Sequence, residues 1–193
     1  MPFLLSLFRL AGRIRNRVYT TCVAKTFQGF GDRSVITPPA RLVGTHRIHI
    51  GRNVTIGSNC WLHVLKDSSN SSSPAIQIGD GCSFAGFCTV TAAQSVIIEP
   101  NVLIARYVYI SDHGHSYTDY SLPIKDQGIT TPANVRVREG AWLGQGVIIC
   151  PGVTIGRNAV IGANSVVKAD VPDHHVAVGA PARIIRSIKE RPR

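Results

Sequence analysis

The sequence is poor in charge and poorer still in acid. Charged side chains make up 17% of its 193 residues, and only 11 of them are Asp or Glu. Aromatics are 7%, with two tryptophans and one methionine. Hydrophobic residues at 44% with so little charge exclude intrinsic disorder. The same scarcity argues against a charge-laced helical array. No apolar run approaches the ~20 residues of a spanning helix, because Arg9 interrupts the opening stretch. Nothing basic precedes that stretch and no small-residue cleavage site follows it, so a secretory leader is not expected. Five cysteines is an odd number and no Cys-X-X-Cys pair occurs, which argues against a disulfide framework or a thiolate metal site. The length fits one domain, and the expected location is cytoplasmic.

What charge there is lies at the ends. The net charge is +10. Residues 1–25 carry Arg9, Arg13, Arg15, Arg17 and Lys25 with no acid, and residues 183–193 carry five basic side chains against Glu190. The body between them holds 11 basic and 10 acidic residues and is nearly neutral. No basic patch interleaved with aromatics appears there, so nucleic acid is not an expected partner. In the first segment Leu4, Phe8, Ala11, Ile14, Val18 and Cys22 recur at helical steps beside a stripe of Arg9, Arg13 and Arg17. This predicts a basic amphipathic helix that packs on its own domain or lies on an anionic membrane surface.

From residue 50 an aliphatic or aromatic residue returns every six positions. The series runs Ile50, Ile56, then Ile78, Phe84, Val90, then Ile98, Ile104, Ile110, and resumes as Val137, Leu143, Ile149, Ile155, Ile161 and Val167. A period of six fits neither an ordinary strand nor a helix, and it is the signature of a parallel β-helix. Three hexads close one triangular coil, which gives about five coils beginning near Ile50, Ile78, Ile98, Val137 and Ile155. A smaller residue often sits four places on. Cys60, Cys82 and Cys88 fall on such positions and read as small core fillers.

The expected organisation is therefore all-β. A basic helix spans 1–25, a connecting segment 26–49, and the repeat body 50–172, with loops at 66–75 and 111–134. A closing segment over 173–193 ends in a short basic helix that begins at Pro181. The Ser-rich first loop reads as solvated. The second is too long for a turn, and long loops on a rigid scaffold are where sites are built. It opens with Asp112-His113-Gly114-His115. A neutral imidazole there has the right proton affinity for a general base. A metal ligand and an idle surface histidine are the rival readings of the same residues.

These residues also carry a resemblance. IIEPNVLIARYVYISDHGH resembles the segment leading to the active-site histidine of galactoside and maltose O-acetyltransferases, members of the hexapeptide-repeat acyltransferases. The hexads from GAWLGQGVIICPGVTIGRNAVIGANSVVKADVP through VAVGAPARIIR resemble that family's coenzyme-binding region. The Asp-His-X-His variant and the basic helix look closer to acetyltransferases of surface polysaccharides. The resemblance implies a left-handed parallel β-helix and a homotrimer. It also implies acetyl-CoA as co-substrate, no metal, and a sugar or glycan hydroxyl as acceptor. Its register puts the catalytic base at His115, with His113 as neighbour and Asp112 available to fix the tautomer of either ring. It places Trp142, Gly144 and Gln145 beside the pantetheine arm, and Gly162, Ala163 and Lys168 toward the far end of the coenzyme. Arg183 and Arg186 come near its phosphates. Trp142 also reads as an exposed turn aromatic, and the two glycines as turn residues.

The chain departs from the sugar enzymes in two places. Lys168-Ala169 stands where they carry Thr-Lys, and no Asn occurs near Ala85–Gly86. Acceptor recognition is thus expected to differ. N-acetylation of an amino sugar is the alternative within the family. A zinc hydratase on the same coil would need a His-X4-His pair, and position 120 is Tyr120. A non-catalytic β-helix, binding partners through its basic ends, is the third class. If the first helix meets lipid, the protein would sit at the cytoplasmic face of the inner membrane.

Overall fold

The computed structural model describes residues 2–66 and 73–189. Most of the Ser-rich loop and the last four residues, with Glu190, Arg191 and Arg193, lie outside the described residues. The helix α1 spans Pro2–Ala24. Six coils of three short strands follow. The first holds β1 (Gly29–Phe30), β2 (Val35–Ile36) and β3 (Arg41–Val43), and the second β4 (Ile48–Ile50), β5 (Thr55–Ile56) and β6 (Trp61–Val64). The third holds β7 (Ile76–Ile78), β8 (Ser83–Phe84) and β9 (Thr89–Ala92), and the fourth β10 (Val96–Ile98), β11 (Leu103–Ile104) and β12 (Tyr109–Ser111). β13 (Val135–Val137), β14 (Trp142–Leu143) and β15 (Ile148–Ile149) form the fifth. β16 (Thr154–Ile155), β17 (Val160–Ile161) and β18 (Val166–Val167) form the sixth. β19 (His175–Gly179) and β20 (Ala182–Ser187) close the chain.

Strands at the same place in successive coils pair in parallel, giving three sheets that form the walls of a prism. Register is strict: Leu103 and Ile104 lie beside Trp142 and Leu143, which lie beside Val160 and Ile161. The column of Ile56, Phe84, Ile104, Leu143 and Ile161 is thereby stacked on the axis, each 0–1% exposed. Cys60, Cys82 and Cys88 are each 1% exposed in the same core, as their spacing predicts. Burial pushes the Cys82 thiol up to about 11, and the Cys60 thiol, hydrogen-bonded to the Cys88 thiol and buried, is also pushed up. Both stay protonated and apolar in character.

Each coil turns through left-handed residues at its corners. Asn53, Asn101 and Asn158 alternate with Gly81 and Gly140 along one edge, all at positive φ. A Cβ on Gly140 would lie 2.1 Å from Asn158 Oδ1, so this turn needs glycine for space as well as for its φ of +71°. Four ion pairs of the body link its coils: Arg52 with Asp80, Arg136 with Glu99, Arg157 with Glu139 and Arg138 with Asp173.

Two expectations are corrected. Residues 26–49 are not a connector, since residues 29–43 form a full coil whose strands pair with the second. Phe30, Ile36 and Leu42 keep the six-residue step. The 3-10 turn over Thr45–Arg47 then puts Ile50, the coil partner of Phe30, eight residues after Leu42, so the column looks broken in sequence. Nor is the end a helix: ARIIRS is strand β20, antiparallel to β19 across a tight Ala180–Pro181 turn. Two adjacent β-branched isoleucines favour extended chain, and β19 offers an unpaired edge for them to join. The amphipathic helix is present, but its back half alone meets the coil. Tyr19 and Val23 pack on the core, and Thr20 bonds to Ile36. Leu4, Leu7, Phe8, Ile14 and Val18 remain 46–68% exposed.

Candidate active site

All interruptions of the coil leave it at one edge of the prism, following β3, β6 and β12. Those strands belong to the third sheet, so added chain accumulates beside its outer face. Where the chain crosses the same edge without an insertion, at Ala93–Ser95, three successive backbone N–H groups point at one place. Asp112 fills it. Its carboxylate accepts from Ala93 N at 2.9 Å, Gln94 N at 2.7 Å and Ser95 N at 2.7 Å. Asp112 is 0% exposed, an anion held in a backbone nest of the preceding coil.

The fourth partner of that carboxylate is the histidine beside it. His113 Nδ1 lies 2.6 Å from Asp112 Oδ1, and the His113 side chain is 11% exposed. With Nδ1 facing a carboxylate, the ring is held with its proton on that side and Nε2 available as acceptor. The loop is closed behind it: Gly114 N donates to Thr130 Oγ1, Thr130 N to Gly114 O, and Ala133 N to Asp112 O. His115 pairs with Ile129 in an antiparallel bridge and is exposed. Both histidines line one pocket of about 270 Å³ over the third sheet, together with Trp61, His63, Tyr109 and Ile129. The structure thus brings the predicted trio together, and it gives the carboxylate to His113 rather than to His115.

The row of the third sheet that gives this pocket Trp61, Thr89 and Tyr109 was not marked in sequence. Arg41, Trp61, Thr89 and Tyr109 pair in one row across β3, β6, β9 and β12. Each is the outward residue just before an inward one, a signal that emerges only once the coils are aligned. Arg41 lies over the Trp61 ring at 4.3 Å, and His63 stacks on that ring at 5.0 Å. Burial, with Arg41 and His113 nearby, holds the His63 imidazole below its usual range.

Apart from Lys168, the residues assigned to the coenzyme fall on the other side of the prism and toward its far end. Gly144 and Gln145 follow β14, and Gly162 and Ala163 follow β17 in the next coil. A Cβ on Gly144 would lie 2.8 Å from Ala163 N, so that glycine lets two coils approach. Trp142 is 48% exposed on the outer face of the second sheet. The pairings Trp142–Val160, Val160–Val176 and Val176–Arg186 put Trp142 and Arg186 on one row, three strand spacings or ~14 Å apart. Arg183 and Arg186 are exposed and have no acidic partner among the described residues. Lys168 follows β18 on the third sheet, away from this row. Two free cations and a flat aromatic on one face fit a ligand carrying phosphates. Among the described residues no three His, Cys, Asp or Glu side chains converge as a metal site would require.

The family model for bacterial transferase hexapeptide, six repeats, matches residues 134–169. The chain is 31% identical over 160 residues to the putative lipopolysaccharide biosynthesis O-acetyl transferase WbbJ of Escherichia coli, a match covering 79% of this chain and 78% of that protein. It belongs to the hexapeptide-repeat acyltransferases. Its coil is the left-handed parallel β-helix of that family. Galactoside O-acetyltransferase of E. coli is 37% identical over 138 residues, 71% of this chain and 65% of that enzyme. A probable acetyltransferase of Mycobacterium tuberculosis is 34% identical over 128 residues, which span 66% of this chain but 42% of that protein. Among solved structures, AntD, an N-acyltransferase from Bacillus cereus, superposes with a TM-score of 0.74 at 20% identity, covering 88% of this chain and 87% of AntD, a likeness of fold. A maltose O-acetyltransferase from Clostridium difficile superposes at 0.59 with 29% identity, over 87% and 73% of the two chains.

Proposed function

We propose that this acyltransferase moves acetyl from acetyl-CoA to a hydroxyl of a sugar or cell-surface glycan. The observation that carries this reading is the histidine loop: a buried Asp112, an oriented His113 and an exposed His115 opening on one pocket. The acceptor hydroxyl loses its proton to an imidazole as its oxygen attacks the thioester carbonyl; the C–S bond then breaks and CoA leaves as its thiol, taking that proton from the imidazolium. A positioned base of this kind contributes roughly 10²–10⁴-fold in rate.

The family register supports His115 as that base. The 2.6 Å contact with Asp112 favours a second reading, in which His113 Nε2 takes the proton and His115 contacts the acceptor. Thiol release from acetyl-CoA, measured for His113→Ala and His115→Ala with an accepted sugar, tests both. The base is the residue whose loss costs kcat while KM for the acceptor holds. If both variants keep near-native turnover, the acetyltransferase reading falls.

The working assembly is a homotrimer, as the family resemblance implies, and light scattering of the purified protein checks its mass. Peripheral attachment at the cytoplasmic face of the inner membrane is supported by the exposed apolar stripe of α1 and its acid-free, arginine-rich sequence. No helix among the described residues is long and apolar enough to cross a membrane. Equal binding of full-length and helix-deleted protein to anionic vesicles would remove that attachment.

A further inference from the structure

The pocket at the histidines does not end at Trp61. A second hollow of about 420 Å³, lined by Pro39, Arg41 and Asn59, adjoins it, and the two share Trp61 and Thr89. Together they form one trough along the outer face of the third sheet. Among the described residues no Asp or Glu lines either part. Asp112 is fully buried and committed to three N–H groups and His113.

Arg41 is the permanent cation of this trough. It is exposed and has neither a carboxylate partner nor an acceptor for its side-chain N–H groups among the described residues. Stacking on Trp61 uses the face of the guanidinium and leaves its donors free at the edge. That arrangement holds the fork in place for a planar or tetrahedral anion, which it would bind through paired hydrogen bonds. His63 stands on the same indole, between Arg41 and the histidine loop.

We infer that this trough is the acceptor site and that Arg41, steadied by Trp61, takes an anionic group of the acceptor, so that the substrate is an acidic glycan. The inference rests on the acetyltransferase reading and names its substrate class. β3, which carries Arg41, lies three strand spacings from β12, or ~14 Å. The Arg41 guanidinium reaches back over Trp61 of β6, which lines the histidine pocket, so the anion lies on the acetylated unit or on one adjoining it. It is a uronate carboxylate or a linking phosphate, which share the chemistry Arg41 recognises.

The test is acetyl transfer from acetyl-CoA to three matched acceptors: a galacturonate disaccharide, the neutral galactose disaccharide, and a phosphate-linked disaccharide. One acidic acceptor is expected to exceed the neutral one by about tenfold to a hundredfold in kcat/KM, the size of a charge-assisted hydrogen bond. Which acidic acceptor leads identifies carboxylate or phosphate. Arg41→Met is expected to abolish the preference through KM. Equal use of neutral and acidic acceptors, or a preference that survives Arg41→Met, overturns the inference. A binding measurement separates this outcome from failure of the enzyme reading. The chain has two tryptophans, so Trp142→Phe leaves Trp61 as the sole emitter. If acidic disaccharides alter Trp61 fluorescence in that variant but the native chain acetylates no acceptor, the trough stands and acetyl transfer falls. If neutral acceptors are acetylated while Trp61 ignores acidic ones, the trough assignment falls.

Discussion

The Nδ1 of His113 and the Oδ1 of Asp112 stand 2.6 Å apart, with the carboxylate out of contact with water. Asp112→Asn would turn an amide N–H₂ toward the nest of backbone donors or toward the imidazole. The expected result is a loss of about 3–5 kcal/mol of stability, as for one member of a buried pair removed. Turnover in the protein that remains folded should also fall, by roughly 10²-fold or more. Thermal melts and thiol-release kinetics on the same sample check both. A folded variant with native turnover would show that Asp112 orients nothing.

Arg183 and Arg186 are exposed and free of acidic partners among the described residues. Arg183→Gln and Arg186→Gln should leave the melting temperature of the free protein nearly unchanged, as surface changes do. Each should weaken CoA binding by about tenfold, the loss of one charge-assisted contact. Calorimetric titration with CoA and with its 3′-dephospho form checks this and shows which phosphate each arginine meets. A change in acceptor KM alone would move these residues out of the coenzyme site.

Thr20 ties α1 to the first coil. Its hydroxyl accepts from Ile36 N at 3.0 Å and shares its proton between Asn16 O at 2.7 Å and Ile36 O at 3.2 Å. Thr20→Val keeps the shape and strands a buried N–H, at a cost of about 1–3 kcal/mol. Urea denaturation should shift its midpoint without a change of slope. An unchanged midpoint would mean that α1 is not docked in solution.

Two carboxylates make stability fall in acid. Backbone N–H bonds from Arg52 and Arg157, with nearby guanidinium groups, hold Asp80 and Asp173 below the usual carboxylate range. A depressed folded value gives stability that is complete above the unfolded value of ~3.9 and fades as pH falls through the folded one. His63, held below its usual range chiefly by burial, acts in the same sense at higher pH, its contribution complete above ~6.5. Melting temperature should therefore rise with pH through both windows, and Asp80→Asn with Asp173→Asn should flatten the lower one.

The coil was legible because Phe84, Ile104, Leu143 and Ile161 each have one place to go. A six-residue period leaves no alternative core, and the short corners leave no room to slip. The first coil was hidden by the stretch Gly44–Arg47, which sets Ile50 eight residues after Leu42 instead of six while leaving the stacking intact. The final strand was hidden because ARIIRS has helix formers and strand formers in equal measure, and the free edge of β19 decides between them. At the site, Asp112, His113 and His115 could be picked out by type and position. Which ring Asp112 holds depends on the nest at Ala93–Ser95, seventeen or more residues earlier and one coil away. Arg41 and Trp61 carry no motif at all, since their role arises only from coil-to-coil register.

The reversed direction of β20 also governs what the molecule does in a crowd. A bare parallel coil has ends that match each other, so one copy's last coil can receive another's first, and nothing terminates the addition. Here the lower end of the second sheet presents an antiparallel strand, out of phase with any incoming coil. At the upper end a threonine hydroxyl occupies the bonding positions of Ile36 that a further strand would use. β20 and Thr20 thus keep a solenoid of indefinite pattern a particle of fixed length, and their removal should turn the protein toward fibres, which light scattering would detect.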